Sequence, residues 1–151
     1  PYLSESTGKF YIVGGDENFP WGVMATKDKP SNPRGAYHFL DFTDPDNPSE
    51  EAIYEVPEAG SHNLWIYGDM LLAGNYQGGL RVVDISGDLL GDIYKQGREI
   101  AHYLSYHEKG RIANAPMVWG AQPYKDYIFF SDMNSGLYCV QLEEESSSST
   151  D

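Results

Sequence analysis

Apolar residues along this chain fall in short runs separated by breaks rich in Gly, Asp, Asn and Pro, and few stretches repeat at the helical period. Runs of this kind, rich in β-branched and aromatic residues, read as strands. They predict strands over 9–15, 37–42, 51–56, 62–67, 70–76, 80–86, 99–106, 117–123, 127–132 and 136–142. Turn chemistry separates them at Gly68-Asp69, Gln77-Gly78-Gly79 and Asn134-Ser135-Gly136. Asp44-Pro45-Asp46-Asn47-Pro48 is a further turn, because Pro fixes φ and Asp and Asn side chains bond nearby backbone. Residues 16–34 make a long insertion within the first hairpin. The weakest pattern lies over 88–98 and 107–115, and a short helix is compatible with the former.

The strand pattern repeats. Gly78-Gly79-Leu80-Arg81-Val82-Val83-Asp84-Ile85 is echoed by Gly136-Leu137-Tyr138-Cys139-Val140-Gln141-Leu142, and an earlier version reads Gly35-Ala36-Tyr37-His38-Phe39-Leu40-Asp41-Phe42. Displaced by 57 residues, Gly79, Leu80 and Val83 meet identical residues at 136, 137 and 140, and Asp69 meets Asp126. Displaced by 43, Gly35 and Asp41 meet Gly78 and Asp84. Strands are kept while connections vary, as loops do. Each unit of about four strands and roughly 40 to 55 residues matches one blade of a β-propeller. The expectation is an all-β chain, a partial propeller of about three four-stranded blades over 1–58, 59–106 and 107–143. A propeller closes with about 4 to 8 blades, and an open array exposes strand edges. The chain is therefore expected to be the C-terminal portion of a larger propeller, with missing blades elsewhere in the natural chain or on other chains; assembly with copies of itself is the alternative.

Composition narrows the partners. Apolar residues at 40% and aromatics at 14% suffice for a core, and twelve Tyr with sixteen Gly suit a turn-rich β protein. A net charge of −13 with ten Lys and Arg disfavours nucleic acid and anionic lipid, and suits salty surroundings that screen carboxylate repulsion. No apolar run reaches the ~18 residues of a spanning helix. Cys139 is alone, so it makes no intrachain disulfide and no Cys-based metal site, and it reads as a small buried apolar residue. Pro1 is not a natural start, so upstream residues are expected. Residues 144–151 are acidic and Ser/Thr-rich, which predicts a disordered tail or a stalk toward a surface anchor.

The motifs bear a family resemblance. Asn75-Tyr76-Gln77-Gly78-Gly79-Leu80-Arg81-Val82-Val83-Asp84-Ile85-Ser86 resembles the LVIVD repeat. So do Gly60-Ser61-His62-Asn63-Leu64-Trp65 and Met117-Val118-Trp119-Gly120-Ala121-Gln122-Pro123 leading to Ser131-Asp132-Met133-Asn134-Ser135-Gly136-Leu137. The resemblance covers roughly 8–142 and implies an extracellular or envelope-associated β-propeller. It supplies a fold and a location, not a reaction. The third copy has Gln141 where the repeat has Asp, and the first copy lacks its leading strand.

Candidate chemistry is sparse. His62 and Asn63 open the innermost strand of the second unit and would line a propeller channel, yet one His supplies one ligand where metal sites need three or four. Trp119 holds the matching place in the third unit, and it and Trp65 read as packing between blades or as a channel-mouth surface. Asp16 and Glu17 begin the insertion, but neighbours on a strand point to opposite faces, which favours a solvated loop start. Phe19 and Trp21 on this loop are candidate partner contacts. Asp44, Asp46 and Glu55 mimic a calcium loop without its Gly, and read as a turn. Asp41 and Asp84 are expected to cap turn amides. Nucleophile, phosphate-loop and dinucleotide signatures are absent. The reading is a non-enzymatic interaction or assembly module with no cofactor, contacting a protein partner or itself through His62, Asn63, Trp119, Phe19 and Trp21. The rival is a ligand- or metal-binding propeller, enzymatic or not, with its site in the channel.

Overall fold

The computed structural model describes residues 1–23, 26 and 31–143. The expectation for the tail over 144–151 lies outside these residues. Among the described residues there is no helix, and twelve strands form three sheets, none closed into a barrel. The first sheet runs β1 (Tyr2–Leu3), β2 (Phe10–Gly15), β3 (Tyr37–Asp41), β4 (Ser49–Tyr54) and, beyond it, β8 (Gly91–Asp92). The second runs β5 (Leu64–Tyr67), β6 (Met70–Gly74), β7 (Leu80–Asp84) and β9 (Glu99–Tyr103), and the third runs β10 (Val118–Tyr124), β11 (Tyr127–Asp132) and β12 (Gly136–Val140). Neighbours are antiparallel except β4 and β8, which are parallel. Short turns explain this for β5–β6, β6–β7, β10–β11 and β11–β12, since antiparallel neighbours need only a hairpin, and the longer connections close hairpins in the same way.

The three sheets stack face to face in chain order. Leu71, Ala73 and Val83 of the second sheet share a core with Tyr11, Tyr37, Phe39 and Tyr54 of the first. Leu72, Leu80 and Val82 share another with Val118, Ala121, Ile128 and Phe130 of the third. Burial patterns follow from this layering. Leu71 to Gly74 are all buried, because β6 is covered on both sides. Along β11 buried and exposed residues alternate, because its sheet is covered on one side only. Each fully buried Leu or Phe contributes about 1.5–3 kcal/mol, so the sandwiched second sheet anchors the molecule.

Four expectations change. The first unit does have a leading strand: Tyr2 lies opposite Tyr11, with their rings stacked at 5.7 Å. The stretch 88–98 is not helical. Leu89 and Ile93 are buried in the first core, and Ile93 N–H donates to Ile53 O at 2.9 Å, so pairing with the edge of β4 takes the backbone a helix would have used. The sheets hold five, four and three strands rather than four each. Cys139 is exposed, because β12 turns it to the uncovered face of the third sheet. The turn readings hold. Asp44 accepts Asp46 N–H at 3.0 Å and Asn47 Nδ2 at 2.8 Å. Asp41 accepts Thr43 N–H and Asp84 accepts Ser86 N–H, both at 2.8 Å.

Candidate functional site

The ends of β2 and β6 meet the start of β10 at one rim of the stack, and the backbone builds the site first. Gly74 N–H donates to Asn63 O at 3.0 Å, and His62 N–H donates to Gly74 O at 2.9 Å. Asn63 N–H reaches across to the third sheet, to Trp119 O at 2.9 Å. Tyr76 and Val118 exchange two bonds, at 2.9 and 3.0 Å. Two sheets can approach so closely because residue 74 is Gly: a Cβ there would lie 2.5 Å from Trp119 O. Trp119 is the extra residue of a β-bulge, since pairing passes from Val118↔Asp132 directly to Gly120↔Ser131. A bulge re-aims a side chain, and here it lays the indole on His62.

The His62 imidazole stacks on Trp119 at 5.0 Å and 19° and meets Tyr76 edge-on at 5.0 Å. Phe19, from the insertion, meets the Tyr76 ring edge-on at 5.8 Å. His62 Nδ1 lies 2.8 Å from Trp119 O, a pure acceptor, so Nδ1 carries a hydrogen, and Nε2 is the position that presents a lone pair whenever the ring is uncharged. Glu17 Oε1 lies 3.8 Å from Nε2. Tyr76 donates a short hydrogen bond to the same carboxylate oxygen. Burial first, and then Glu17, push the Tyr76 hydroxyl well above the usual phenol range, so it remains a donor. Tyr76 has a left-handed backbone, φ +43°, which costs a non-glycine residue about 1–2 kcal/mol. Its bonds to Val118 hold it there. The result is an acceptor pair, a carboxylate and an imidazole nitrogen, ringed by aromatic faces and suited to a donor-bearing or cationic group.

Four of the five sequence candidates gather here or beside it: His62, Trp119 and Phe19 in the cluster, Asn63 in its backbone. The exposed Asn63 side chain faces an open groove of about 430 Å³ with Trp65, Gly120, Gln122 and Ser131, and among the described residues no charged one lines it. Trp21 packs elsewhere: it is 66% exposed, with the Arg34 guanidinium over its ring at 5.1 Å. Among the described residues, no group of three or more His, Cys, Asp and Glu is placed to hold a metal ion. Asp16 and Glu17, just past the end of β2, diverge: Asp16 Oδ1 takes Ala36 N–H, while Glu17 takes Tyr76. Sequence reasoning missed Tyr76 and its bond to Glu17, which is otherwise exposed. The available signal was Tyr76 at the end of the strand that leads into the Gly78-Gly79 turn, one unit along from the insertion. Comparison of the chain with models of known protein families, with curated proteins and with solved structures finds no match.

Proposed function

We propose that this chain is a segment of a β-propeller of the LVIVD-repeat type, acting outside the cell or in its envelope as a non-enzymatic protein-interaction or assembly module. Three sheets stacked in chain order, with apolar faces open at both ends, support the propeller reading. The observation that carries the interaction reading is exposed aromatic surface: Trp119 at the rim and Trp21 apart from it are large, exposed and held in place by neighbours rather than free. Aromatic anchors supply much of the energy of protein contacts at low entropic cost. The Glu17–His62 acceptor pair beside Trp119 would take a Lys or Arg of the partner, which fits the charge of −13. No helix of the described residues is long and apolar enough to cross a membrane.

One feature favours the rival ligand site: His62 is fixed in the tautomer that leaves Nε2 free, as imidazoles are held when they bind metals. Elemental analysis of the purified protein separates the two. The interaction reading expects no stoichiometric metal in wild type or in His62→Ala. Stoichiometric metal that disappears with His62→Ala would overturn it in favour of a channel site completed by other residues.

A further inference from the structure

In the first two sheets a fourth strand lies antiparallel on the third, and the two fourth strands share a pattern. Glu50-Glu51-Ala52-Ile53-Tyr54 and Glu99-Ile100-Ala101-His102-Tyr103 both read Glu-x-Ala-x-Tyr. Their registers agree. Ala52 lies opposite Phe39 and Ala101 opposite Val82; Tyr54 lies opposite Tyr37 and Tyr103 opposite Leu80. Each ladder has its irregularity just past the Ala pair. The Glu keeps its partner too. Glu50 pairs with His38 at 2.7 Å and Glu99 with Arg81 at 3.0 Å, and His38 and Arg81 are counterparts in the 43-residue repeat.

The third sheet has the matching third strand and, among the described residues, nothing beside it. Leu137, Tyr138 and Cys139 hold the places of Leu80, Arg81 and Val82. Leu137 is 75% exposed and Cys139 is exposed. Tyr138 offers a hydroxyl where the other sheets offer an imidazole and a guanidinium, and it now bonds Ser135 at 2.8 Å. The glycine that begins this strand shows the same vacancy. A Cβ on Gly79 would strike Tyr103 O at 2.3 Å, because a fourth strand passes there, whereas one on its counterpart Gly136 would meet no atom within 4 Å.

We propose that the outer edge of β12 docks an extended segment of a partner chain. The segment lies antiparallel to β12, with an acidic residue, a small residue two positions on and an aromatic residue two beyond that. The backbone ladder supplies affinity and the side chains set register. The acid meets Tyr138, the small residue lies opposite Cys139, and the aromatic covers Leu137. The site is the free backbone edge of β12 and does not use the His62–Trp119 cluster, although Leu137 also borders the groove that Asn63 faces.

A peptide of residues 98–104 tests it against the whole protein. With Ala101→Cys, carried as a mixed disulfide with a small aromatic thiol, the peptide should transfer to the Cys139 thiolate and release that thiol. Transfer should be about tenfold more efficient than from the same peptide with the cysteine at position 100, whose side chain points to the other face. Glu99→Lys in the peptide should weaken transfer about tenfold, the loss of one charge-assisted bond. The unmodified peptide should also slow amide exchange along β12. Equal transfer from a shuffled peptide, or unchanged exchange of β12 at saturating peptide, would overturn the proposal.

Discussion

Asp69 shows how one side chain ties two sheets together. It sits at the turn between β5 and β6 and accepts Tyr2 Oη at 2.5 Å, Glu5 N–H at 2.9 Å and Ser6 N–H at 3.1 Å, all from the first sheet's leading hairpin. Burial alone would raise its carboxyl, but these bonds together hold it below the usual carboxylate range. A depressed native pKa means stability present above the unfolded value and lost as pH falls through the native one. Asp69→Ala should therefore cost about 1–3 kcal/mol at pH 7, measured by denaturant unfolding. The wild-type advantage over this variant should shrink as pH drops below about 4, and an advantage that persists undiminished at pH 2 would contradict the assignment. Asp69 was visible in the sequence as a position shared with Asp126, but its partners were not, because Tyr2, Glu5 and Ser6 lie some sixty residues away in the chain. Gly74 is a second such residue. Gly74→Ala pushes a methyl into Trp119 O, and overpacking of this kind costs about 1–3 kcal/mol. The same substitution should shift the emission of Trp119 by separating it from His62, and an unchanged spectrum with unchanged stability would show that the two sheets do not meet there.

At the scale of elements, strands with alternating or continuous apolar runs were readable, since their pattern is local. The turns were readable because Gly, Asn and Asp have local reasons to be there. β8 was not. Two residues carry no periodicity, and their strand character comes from the edge of β4, which the sequence of 88–98 does not contain. The same limit hid the kinship of β4 and β9, whose shared Glu-x-Ala-x-Tyr acquires meaning only beside a third strand. β8 matters for stability because it lashes the second unit to the first: Leu89 and Ile93 sit in the core between their sheets. Ile93→Ala should cost about 2–5 kcal/mol, a lost side chain plus its cavity. Hydrogen exchange should quicken in β4 as well as in the 88–98 connection. Quickening confined to the connection would mean that β8 decorates the sheet without supporting it. Tyr54 adds a polar link across the same boundary, donating to Glu99 Oε2 at 2.7 Å, where Glu99 also pairs with Arg81.

The whole molecule has a direction. Tyr37 and Phe39 face the second sheet, and their counterparts Leu80 and Val82 face the third. The next counterparts, Leu137 and Cys139, face open solvent, with Phe129 beside them. At the other end Leu3, Phe10, Ile12 and Leu40 alternate with the core residues of their strands and lie on the outer face of the first sheet, uncovered or half covered. Each internal interface joins one forward face to one backward face, so the two open ends are of complementary kind rather than self-complementary. Contacts of this type run head to tail. The isolated chain should therefore associate with itself as concentration rises. With −13 charges on each copy, association should strengthen as salt screens their repulsion. Replacing Phe129 and Leu137 together by Glu places two charges on the forward face of one end only. Sedimentation should then show a monomer at concentrations where wild type associates. Unfolding stability should change by no more than about 1–2 kcal/mol, because Leu137 is 75% exposed and Phe129 lies on the uncovered face with about a third of its surface in water. If the double variant associated as the wild type does, the forward face would not be the contact. If it unfolded, Phe129 and Leu137 would be core residues and the third sheet would not end the stack.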